Sequence, residues 1–191
     1  CYPTSILIPL IPLIKKKFIN TKNIIIDSKS GYSGAGRGVH NKYKNKNLYE
    51  SLKAYGIFNH RHNSEIKQEL VRQTGKNVDF IFTPHLSPMF RGILSTIYVD
   101  LKNNVSVENI QKCLINFYKT KKFVKIANIN ELISTNDVIN TNYCKISIHK
   151  NINNNKLIIL SVIDNLIKGG SGQAVQNMNL KYGFKIDQGL M

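Results

Sequence analysis

Four stretches of the chain repeat apolar side chains every three to four residues, the period of a helix with one buried face. These predicted helices cover residues 4–18, 63–76, 106–120 and 172–183. Asn63 is the predicted N-cap of the second helix, and Gly75 and Gly183 close the second and the fourth. Pro9 and Pro12 lie inside the first helix and are expected to kink it.

The third predicted helix begins with a cap and carries a regular apolar stripe. Ser106 is its predicted N-cap, because a serine hydroxyl can accept a hydrogen bond from an amide of the first turn. The side chains expected to face inward are Val107, Ile110, Leu114 and Phe117.

Shorter apolar stretches, several with alternating polar positions, predict strands between the helices. They cover residues 23–27, 78–84, 91–101, 143–150 and 156–164. Because strands and helices do not alternate in a regular βαβ order, the pattern favours an α+β fold with a mixed sheet. The asparagine-rich residues 151–155 are the predicted loop of a hairpin.

Composition is that of a folded protein from a reducing compartment. The 191 residues suit one domain, or one domain with an appendage, and 42% of them are apolar, which is enough for a core. Cys1, Cys113 and Cys144 are an odd number at irregular positions, so neither a disulfide framework nor a zinc knuckle is expected, and the cytoplasm is the expected location. The apolar opening stretch is short and interrupted by prolines, which argues against a signal peptide or a membrane span.

The formal net charge of +16 raises the question of an anionic partner. The lysines are scattered among asparagines and isoleucines, as in residues 41–47, which is more typical of a coding bias than of a shaped basic face. A basic, non-catalytic nucleic-acid-binding module is therefore an alternative that needs a motif, and no interleaving of aromatic and basic residues supplies one. We expect no nucleic-acid and no membrane partner, whereas small anionic molecules are compatible with the charge.

Cys1 lies at the predicted start of the first helix. The positive end of a helix dipole favours the thiolate, which is the nucleophilic form of cysteine. The alternative is a buried structural cysteine, which is what most free cysteines are.

The sequence His60-Arg61-His62, with Glu65 three residues further, stands at the entry to the second helix. A carboxylate at that spacing can orient an imidazole for general acid/base catalysis. The alternative is a solvated, charged helix entry. A metal site is disfavoured because the two histidines are only two candidate ligands.

A glycine-rich segment, 31–38, follows the first predicted strand. It does not match the dinucleotide fingerprint, which needs glycine where Val39 stands, or the phosphate-binding P-loop, which needs a GK[ST] sequence. Its backbone amides can still approach a ligand, and a plain surface turn is the alternative.

Five segments, in order along nearly the whole chain, resemble the N-acetyl-gamma-glutamyl-phosphate reductase family of arginine biosynthesis. They read CYPT at 1–4, DSKSGYSGAGR at 27–37, HRHNSEI at 60–66, FTPHLSPMFRGIL at 82–94 and DNLIKGGSGQAVQNMNL at 164–180. In that family the cysteine of a Gly-Cys-Tyr-Pro-Thr motif is the nucleophile, so the resemblance implies this role for Cys1. It also implies that the chain starts at the catalytic cysteine, without the nucleotide-binding domain of the family.

The implied reaction is reduction of N-acetyl-L-glutamyl 5-phosphate to the semialdehyde by NADPH, with release of phosphate. Cys1 would form a thioester, and His62, oriented by Glu65, is the first choice for the acid/base, with His60 second. A sister reductase that acts on a carrier-linked aminoadipyl or glutamyl phosphate is the nearest alternative.

The remaining candidate residues bind ligands. Arg61 and Arg91 are expected to bind the carboxylate or phosphate of the substrate, because a guanidinium matches both. Ser30, Gly31 and Asn165 are expected near NADP(H).

The implied fold is that of the catalytic domain of glyceraldehyde-phosphate and aspartate-semialdehyde dehydrogenases: a mostly antiparallel mixed sheet with helices on one face. This domain would cover residues 1–165, and a C-terminal helix in 166–191 would pack against the nucleotide-binding domain. The apolar faces of the first and last helices are then expected to be uncovered. Because no dinucleotide fingerprint is present, the chain alone is expected to bind NADPH weakly or not at all and to be inactive. The complete enzyme is expected to be a homo-oligomer, a dimer or a tetramer.

Three departures from the family pattern are visible. The second proline of the opening helix, at Pro9 or Pro12, is unusual and bears on the geometry of the helix rather than on the chemistry. The family usually has Thr-Pro-Glu where Asn63, Ser64 and Glu65 stand, so the carboxylate is retained. It usually has Gly-Ala-Ala-Gly where the sequence Gly-Gly-Ser-Gly occupies 169–172.

Overall fold

The computed structural model describes residues 1–36, 50–150 and 155–190. Within these residues the α-helices are α1 (Tyr2–Lys15), α2 (His62–Thr74), α3 (Val107–Tyr118) and α4 (Gly172–Tyr182). All four predicted helices are therefore confirmed. Gly75 and Gly183 end α2 and α4 in the left-handed conformation that glycine adopts easily.

Seven strands form one sheet in the described part of the chain. They are β1 (Ile24–Gly31), β2 (Lys53–Ala54), β3 (Phe80–Ser87), β4 (Ile93–Asp100), β5 (Val124–Ile126), β6 (Cys144–Lys150) and β7 (Lys156–Ile163). Their order across the sheet is β2-β3-β1-β4-β7-β6-β5. The pairs β1/β3 and β5/β6 are parallel and the other neighbours are antiparallel, so the predicted α+β fold with a mostly antiparallel mixed sheet is confirmed. The turn between β6 and β7, predicted as a hairpin loop, lies in residues 151–154, outside the described ranges.

Helix α1 packs against strands β4 and β7 of the sheet and also against the helices α2 and α3. Its buried side chains join those of the sheet in one core, and Ile6, Leu10 and Leu13 have no exposed surface. The expectation that the first helix has an uncovered apolar face is therefore wrong, because this chain itself covers it. The last helix is different: Leu180 and Tyr182 on α4 are 60% and 64% exposed.

Both prolines are accommodated within α1. Pro12 cannot donate a hydrogen bond to the carbonyl of Ile8 four residues earlier, because proline has no amide hydrogen. The hydroxyl of Tyr118 on α3 donates to that carbonyl instead, at 2.5 Å. A side chain from the neighbouring helix thus satisfies the backbone group that the proline leaves free.

Two details of the helix predictions are wrong. Asn63 is not the N-cap of α2, since the helix already includes His62 and Arg61 holds the cap position. Phe117, in the last turn of α3, is 40% exposed rather than inward. Ser106 caps α3 as predicted and accepts a hydrogen bond from the amide of Asn109.

The sheet has a second face, on the side away from the helices. Residues 127–143 cross part of it, and Val138 packs there against Val162 and Leu160. Farther along the same face, Ile25 and Tyr98 are paired across β1 and β4 and are both partly exposed. None of the helices in the described residues has the length and hydropathy needed to cross a bilayer.

Candidate active site

Cys1 is the residue that precedes α1, and its side chain is half-buried at the helix N-terminus. The position of α1 is fixed by hydroxyl groups below it: Ser5 and Ser28 each lie 2.7 Å from the hydroxyl of Ser95 on β4. All three serines are buried, so their hydrogen bonds replace those to water. The start of α1, and with it Cys1, is thereby held in one place over the sheet.

A tight turn after β7 is packed directly against Cys1. A Cβ atom placed on Gly169 would lie 2.5 Å from Cβ of Cys1, closer than any side chain tolerates. Gly169 belongs to the turn that joins β7 to α4, Ile167–Ser171, which is called the π-helical turn because the amides of Gly169 and Ser171 donate to carbonyls five residues earlier. Gly170 inside it has non-helical backbone angles (φ −150°, ψ −107°), so the chain is kinked there.

Asp164 at the end of β7 holds this turn from below and has no exposed surface. One carboxylate oxygen accepts hydrogen bonds from the amides of Leu166 and Ile167, at 2.8 and 3.0 Å. The other accepts from the amide of Asn140 at 2.8 Å and from the guanidinium of Arg91 at 3.3 Å. A buried carboxylate with four donors is well satisfied, so Asp164 is a structural anchor of the site.

His60 and His62 lie side by side, with 4.8 Å between their ring centroids. The backbone amide of His62 donates to Nδ1 of His60 at 3.1 Å, so the side chain of His60 does the capping at the start of α2 that was predicted for Asn63. An accepting Nδ1 carries no proton, which makes His60 neutral in this arrangement. Burial first, and then the nearby charge of Arg61, lower the pKa of His60.

His62 has one ring nitrogen, Nδ1, that is inaccessible to solvent and has no hydrogen-bond partner among the described residues. Its Nε2 lies 3.9 Å from a carboxylate oxygen of Glu65, which is 56% exposed. Burial is the largest cause that lowers the pKa of His62, and the charge of Arg61 acts in the same direction. The ring is therefore neutral at neutral pH and can accept a proton.

Tyr2 joins Cys1 to the two histidines. Its ring makes edge contacts with His60 and His62, at centroid distances of 5.6 and 5.9 Å. Glu65 and Arg61 are both close enough to the backbone of Cys1 to interact with it electrostatically. The structure thus brings Cys1, His60, Arg61, His62 and Glu65 together.

Arg91 precedes β4 and lies beside Asp164 rather than beside the histidines. It contacts Asp164, and its guanidinium also donates to the side chain of Asn140. Nε of Arg91 is buried without a partner among the described residues. Arg61, in contrast, is exposed beside the histidines.

The three residues expected near the cofactor are mostly engaged inside the protein. The side chain of Asn165 accepts from the amide of Gly92 at 2.6 Å and donates to Ser33 at 3.0 Å. A Cβ on Gly31 would lie 2.5 Å from the carbonyl oxygen of Phe90, so this glycine permits a close approach of two backbone segments. Ser30 is buried and donates to the carbonyl of Gly31. Residues 37 and 38 of the glycine-rich segment lie outside the described residues.

The other two cysteines lie in less favourable surroundings for a nucleophile. Burial raises the pKa of the Cys144 thiol to about 11, although a hydrogen bond with Ser161 and the charge of Lys168 oppose this. Burial also raises the pKa of Cys113. A raised pKa leaves little thiolate at neutral pH.

Sequence reasoning missed three residues of the site, namely Asp164, Lys168 and Gly169. The signal was present in the paired glycines that follow a strand ending in Asp-Asn, since paired glycines often mark a close backbone approach. No local pattern, however, says that the approach is to Cys1, which is more than 160 positions away in the sequence.

Comparisons with known proteins show the family to which the chain is related. The family model described as "Semialdehyde dehydrogenase, dimerisation domain" matches residues 1–165. Curated N-acetyl-gamma-glutamyl-phosphate reductases of Staphylococcus aureus strains USA300 and NCTC 8325 are 45% identical to the chain over 190 residues, which confirms the resemblance drawn from the motifs. The match covers 100% of this chain and 55% of each relative, so the chain spans about half the length of these relatives.

Solved structures with the same fold carry the name aspartate-semialdehyde dehydrogenase. The Vibrio cholerae protein of that name, form II, matches with a TM-score of 0.72 at 13% identity, over 92% of this chain and 58% of its own. The Francisella tularensis protein matches with a TM-score of 0.71 at 13% identity, over 95% and 63%. Together with the family match over residues 1–165, this architecture places the chain in the semialdehyde dehydrogenase dimerisation-domain family.

Proposed function

We propose that this chain is the catalytic part of an N-acetyl-gamma-glutamyl-phosphate reductase, which reduces an acyl phosphate to an aldehyde. The observation that supports this most strongly is the seating of Cys1 at the N-terminus of α1, against Gly169 and beside His62. The name and 45% identity of the curated relatives supply the substrate, N-acetyl-L-glutamyl 5-phosphate. The proposal applies to the complete enzyme, of which this chain matches about half.

In the first step the Cys1 thiolate attacks the acyl carbon of the substrate. The carbon–oxygen bond to the phosphate breaks, phosphate leaves with the electron pair, and a thioester forms on Cys1. The N-terminus of α1 favours both the thiolate and the negative charge that develops on the acyl oxygen.

His62 is the proposed acid/base of this site. It takes the thiol proton of Cys1 before attack and gives a proton to the oxygen of the thiohemiacetal that forms when the thioester is reduced. It removes that proton again when the carbon–sulfur bond breaks and the aldehyde is released. Two observations favour His62 over His60. Nδ1 of His62 is unpartnered among the described residues, whereas Nδ1 of His60 already accepts the amide of His62. Glu65, at 3.9 Å from His62, would stabilise the ring when it is protonated.

The proposed reductant is NADPH, which supplies the hydride in this chemistry. Ser30, Gly31 and Asn165 do not form a complete site for it, since Asn165 and Ser30 make internal hydrogen bonds and Gly31 packs on Phe90. The described residues also lack a dinucleotide fingerprint. We therefore propose that these three residues border the nicotinamide at most, and that the rest of the cofactor is bound outside them.

Arg61 and Arg91 are proposed to bind the anionic groups of the substrate. Arg61 is exposed beside Cys1 and has its guanidinium available, which suits a mobile phosphate. Arg91 is held by Asp164, and its buried Nε has no partner among the described residues, which suits a fixed carboxylate.

The proposed division of labour along the chain is a catalytic domain over 1–165 and a docking helix in 166–191. Leu180, Tyr182 and Phe184 near the end of this segment are all at least 50% exposed. Such a row of apolar side chains would be covered by a nucleotide-binding domain in the complete enzyme.

We also propose that the outer face of the sheet joins two copies of the chain. Ile25, Ile81 and Tyr98 form a row across β3, β1 and β4, and each is between 38% and 47% exposed. The matched family model is described as a dimerisation domain, which fits a second copy on this row.

Sedimentation of two lysine variants would test the proposed dimer. Tyr98→Lys should convert dimers into monomers, because a buried, unpaired charge costs several kcal/mol. Ile115→Lys, at a 46% exposed position on α3, is the matched control and should leave the mass unchanged. An unchanged mass for Tyr98→Lys would exclude this face as the interface.

The activity itself is tested in a complete reductase that carries these residues. Cys1→Ser should abolish reduction of the acyl phosphate while NADPH binding, followed by nicotinamide fluorescence, is retained. Residual turnover near that of the parent enzyme would mean that Cys1 is not the nucleophile.

A further inference from the structure

Lys168 is a buried lysine that the proposed chemistry does not use. Its side chain is in the π-helical turn, and the residue is 3% exposed. Nζ donates to Oε1 of Gln176 at 2.8 Å and lies 5.5 Å from the ring centroid of Phe123. Among the described residues no carboxylate is within ion-pair distance of it. Burial lowers its pKa to about 8, which measures how unfavourable the charge is at this position.

Gln176 connects Lys168 to α4 and to the loop before β6. The same oxygen, Oε1, accepts a second hydrogen bond from the side chain of Asn142 at 2.9 Å, and Asn142 has no exposed surface. Gly172, the first residue of α4, has no room for a side chain, since a Cβ would lie 2.5 Å from Oδ1 of Asn142. We call Lys168, Gln176 and Asn142 the lysine anchor. Their hydrogen bonds fix where the π-helical turn ends and α4 begins.

The lysine anchor is one residue away from the contact with Cys1. Lys168 is followed by Gly169, whose backbone touches Cys1, and the amide of Gly169 donates to the carbonyl of Asp164 at 2.9 Å. A hydrophobic residue in place of a buried charge is commonly neutral or stabilising. Core packing alone therefore does not explain a lysine here.

We propose that Lys168 is a positioning residue: its hydrogen bond to Gln176 holds the π-helical turn so that Gly169 seats Cys1 in the orientation in which its sulfur is reactive. The lysine anchor also couples the placement of α4 to that of the sulfur. This inference rests on the proposed role of Cys1 as nucleophile.

The test measures, by mass spectrometry between pH 6 and pH 9, the rates at which iodoacetamide alkylates Cys1 and Cys113 in a complete reductase that carries these residues. Lys168→Met keeps the length of the side chain and removes the charge and the donor. We expect Cys1 to react roughly three- to ten-fold more slowly, which is the effect of losing a favourable interaction with the helix N-terminus. Cys113, which is half-buried on α3, should keep its rate and is the internal control.

Two variants of Gln176 separate positioning from general damage to the fold. Gln176→Leu removes the acceptor and should slow Cys1 as Lys168→Met does, and the double variant should be no slower than either single one. Gln176→Glu keeps the acceptor and should retain the parent rate. A melting temperature of Lys168→Met at or above that of the parent, together with slower alkylation of Cys1, would exclude simple destabilisation.

The inference would be overturned if Lys168→Met and Gln176→Leu both alkylate Cys1 at the parent rate and with the parent pH profile. It would also be overturned if Gln176→Glu slows Cys1 as much as Gln176→Leu. If Lys168→Met does not fold, the alkylation rates of Gln176→Leu and Gln176→Glu are sufficient to test the positioning role. A parent chain in which Cys1 reacts no faster than Cys113 would instead contradict the proposed nucleophile, so the two failures are distinguishable.

Discussion

Gly169 offers the sharpest test of how Cys1 is held, because the change is a single methyl group. In Gly169→Ala the new Cβ would lie 2.5 Å from Cβ of Cys1 and 3.1 Å from its Cα, whereas an ordinary contact is 3.4–4 Å. The turn or the start of α1 must therefore move by about 1 Å, at a cost of about 1–3 kcal/mol of stability, the usual penalty for overpacking. A displacement of that size at a reacting group lowers the rate by about 10²-fold.

The assay is kcat in a complete reductase that carries these residues, with the melting temperature measured on the same samples. Gly170→Ala is the matched control, because a Cβ there would meet only the carbonyl oxygen of Asn165, at 3.4 Å. The resembled family also has alanine at that position. We expect Gly170→Ala to keep kcat within a few-fold, since ordinary contacts are not strained. Equal kcat values for the two alanine variants would refute the seating of Cys1 by Gly169.

Two further predictions follow from the titratable groups. His62→Asn should lower kcat by about 10²–10⁴-fold, the range for a positioned acid/base, while His60→Asn should mainly lower the melting temperature, since His60 caps α2. If His60→Asn lowers kcat more than His62→Asn does, His60 rather than His62 is the acid/base. The pKa of Lys168 is about 8 when folded and 10.5 ordinarily, so between these values the unfolded chain binds more protons and the free energy of unfolding should rise with pH. Urea titrations across this window should show that Lys168→Met lacks this contribution of up to about 3 kcal/mol, and identical pH profiles for the two proteins would contradict it.

Much of the fold could be predicted from the sequence, because its determinants are local. The serine before α3 and the glycines that end α2 and α4 act within one turn, so the pattern around them is sufficient. Asn63 was wrongly chosen as a cap because the acceptor at that helix start is the ring of His60, which no propensity scale anticipates. The apolar face of α1 was also wrongly expected to be exposed, because the helices and strands that bury it are distant in the sequence.

Site residues that belong to sequence motifs could be predicted, whereas those that reach the site only through packing contacts could not. The resemblance identified Cys1, His62 and Glu65 as candidates, and the structure brings them together. The contact of Gly169 with Cys1 and the burial of Lys168 depend on the three-dimensional path of the chain after β7. Such contacts join residues far apart in sequence, and periodicity carries no information about them.

The central claim is that Cys1 carries the acyl group during the reaction. It is tested most directly by mass spectrometry of a complete reductase incubated with N-acetylglutamate semialdehyde and NADP⁺ in the absence of phosphate. Without phosphate only slow hydrolysis can remove the acyl group, so we predict an N-acetylglutamyl adduct on the peptide that contains Cys1, which is lost when phosphate is added. An adduct on the peptide of Cys113 or Cys144, or no adduct on Cys1 when NADPH formation stops at one equivalent per enzyme, would contradict this role of Cys1.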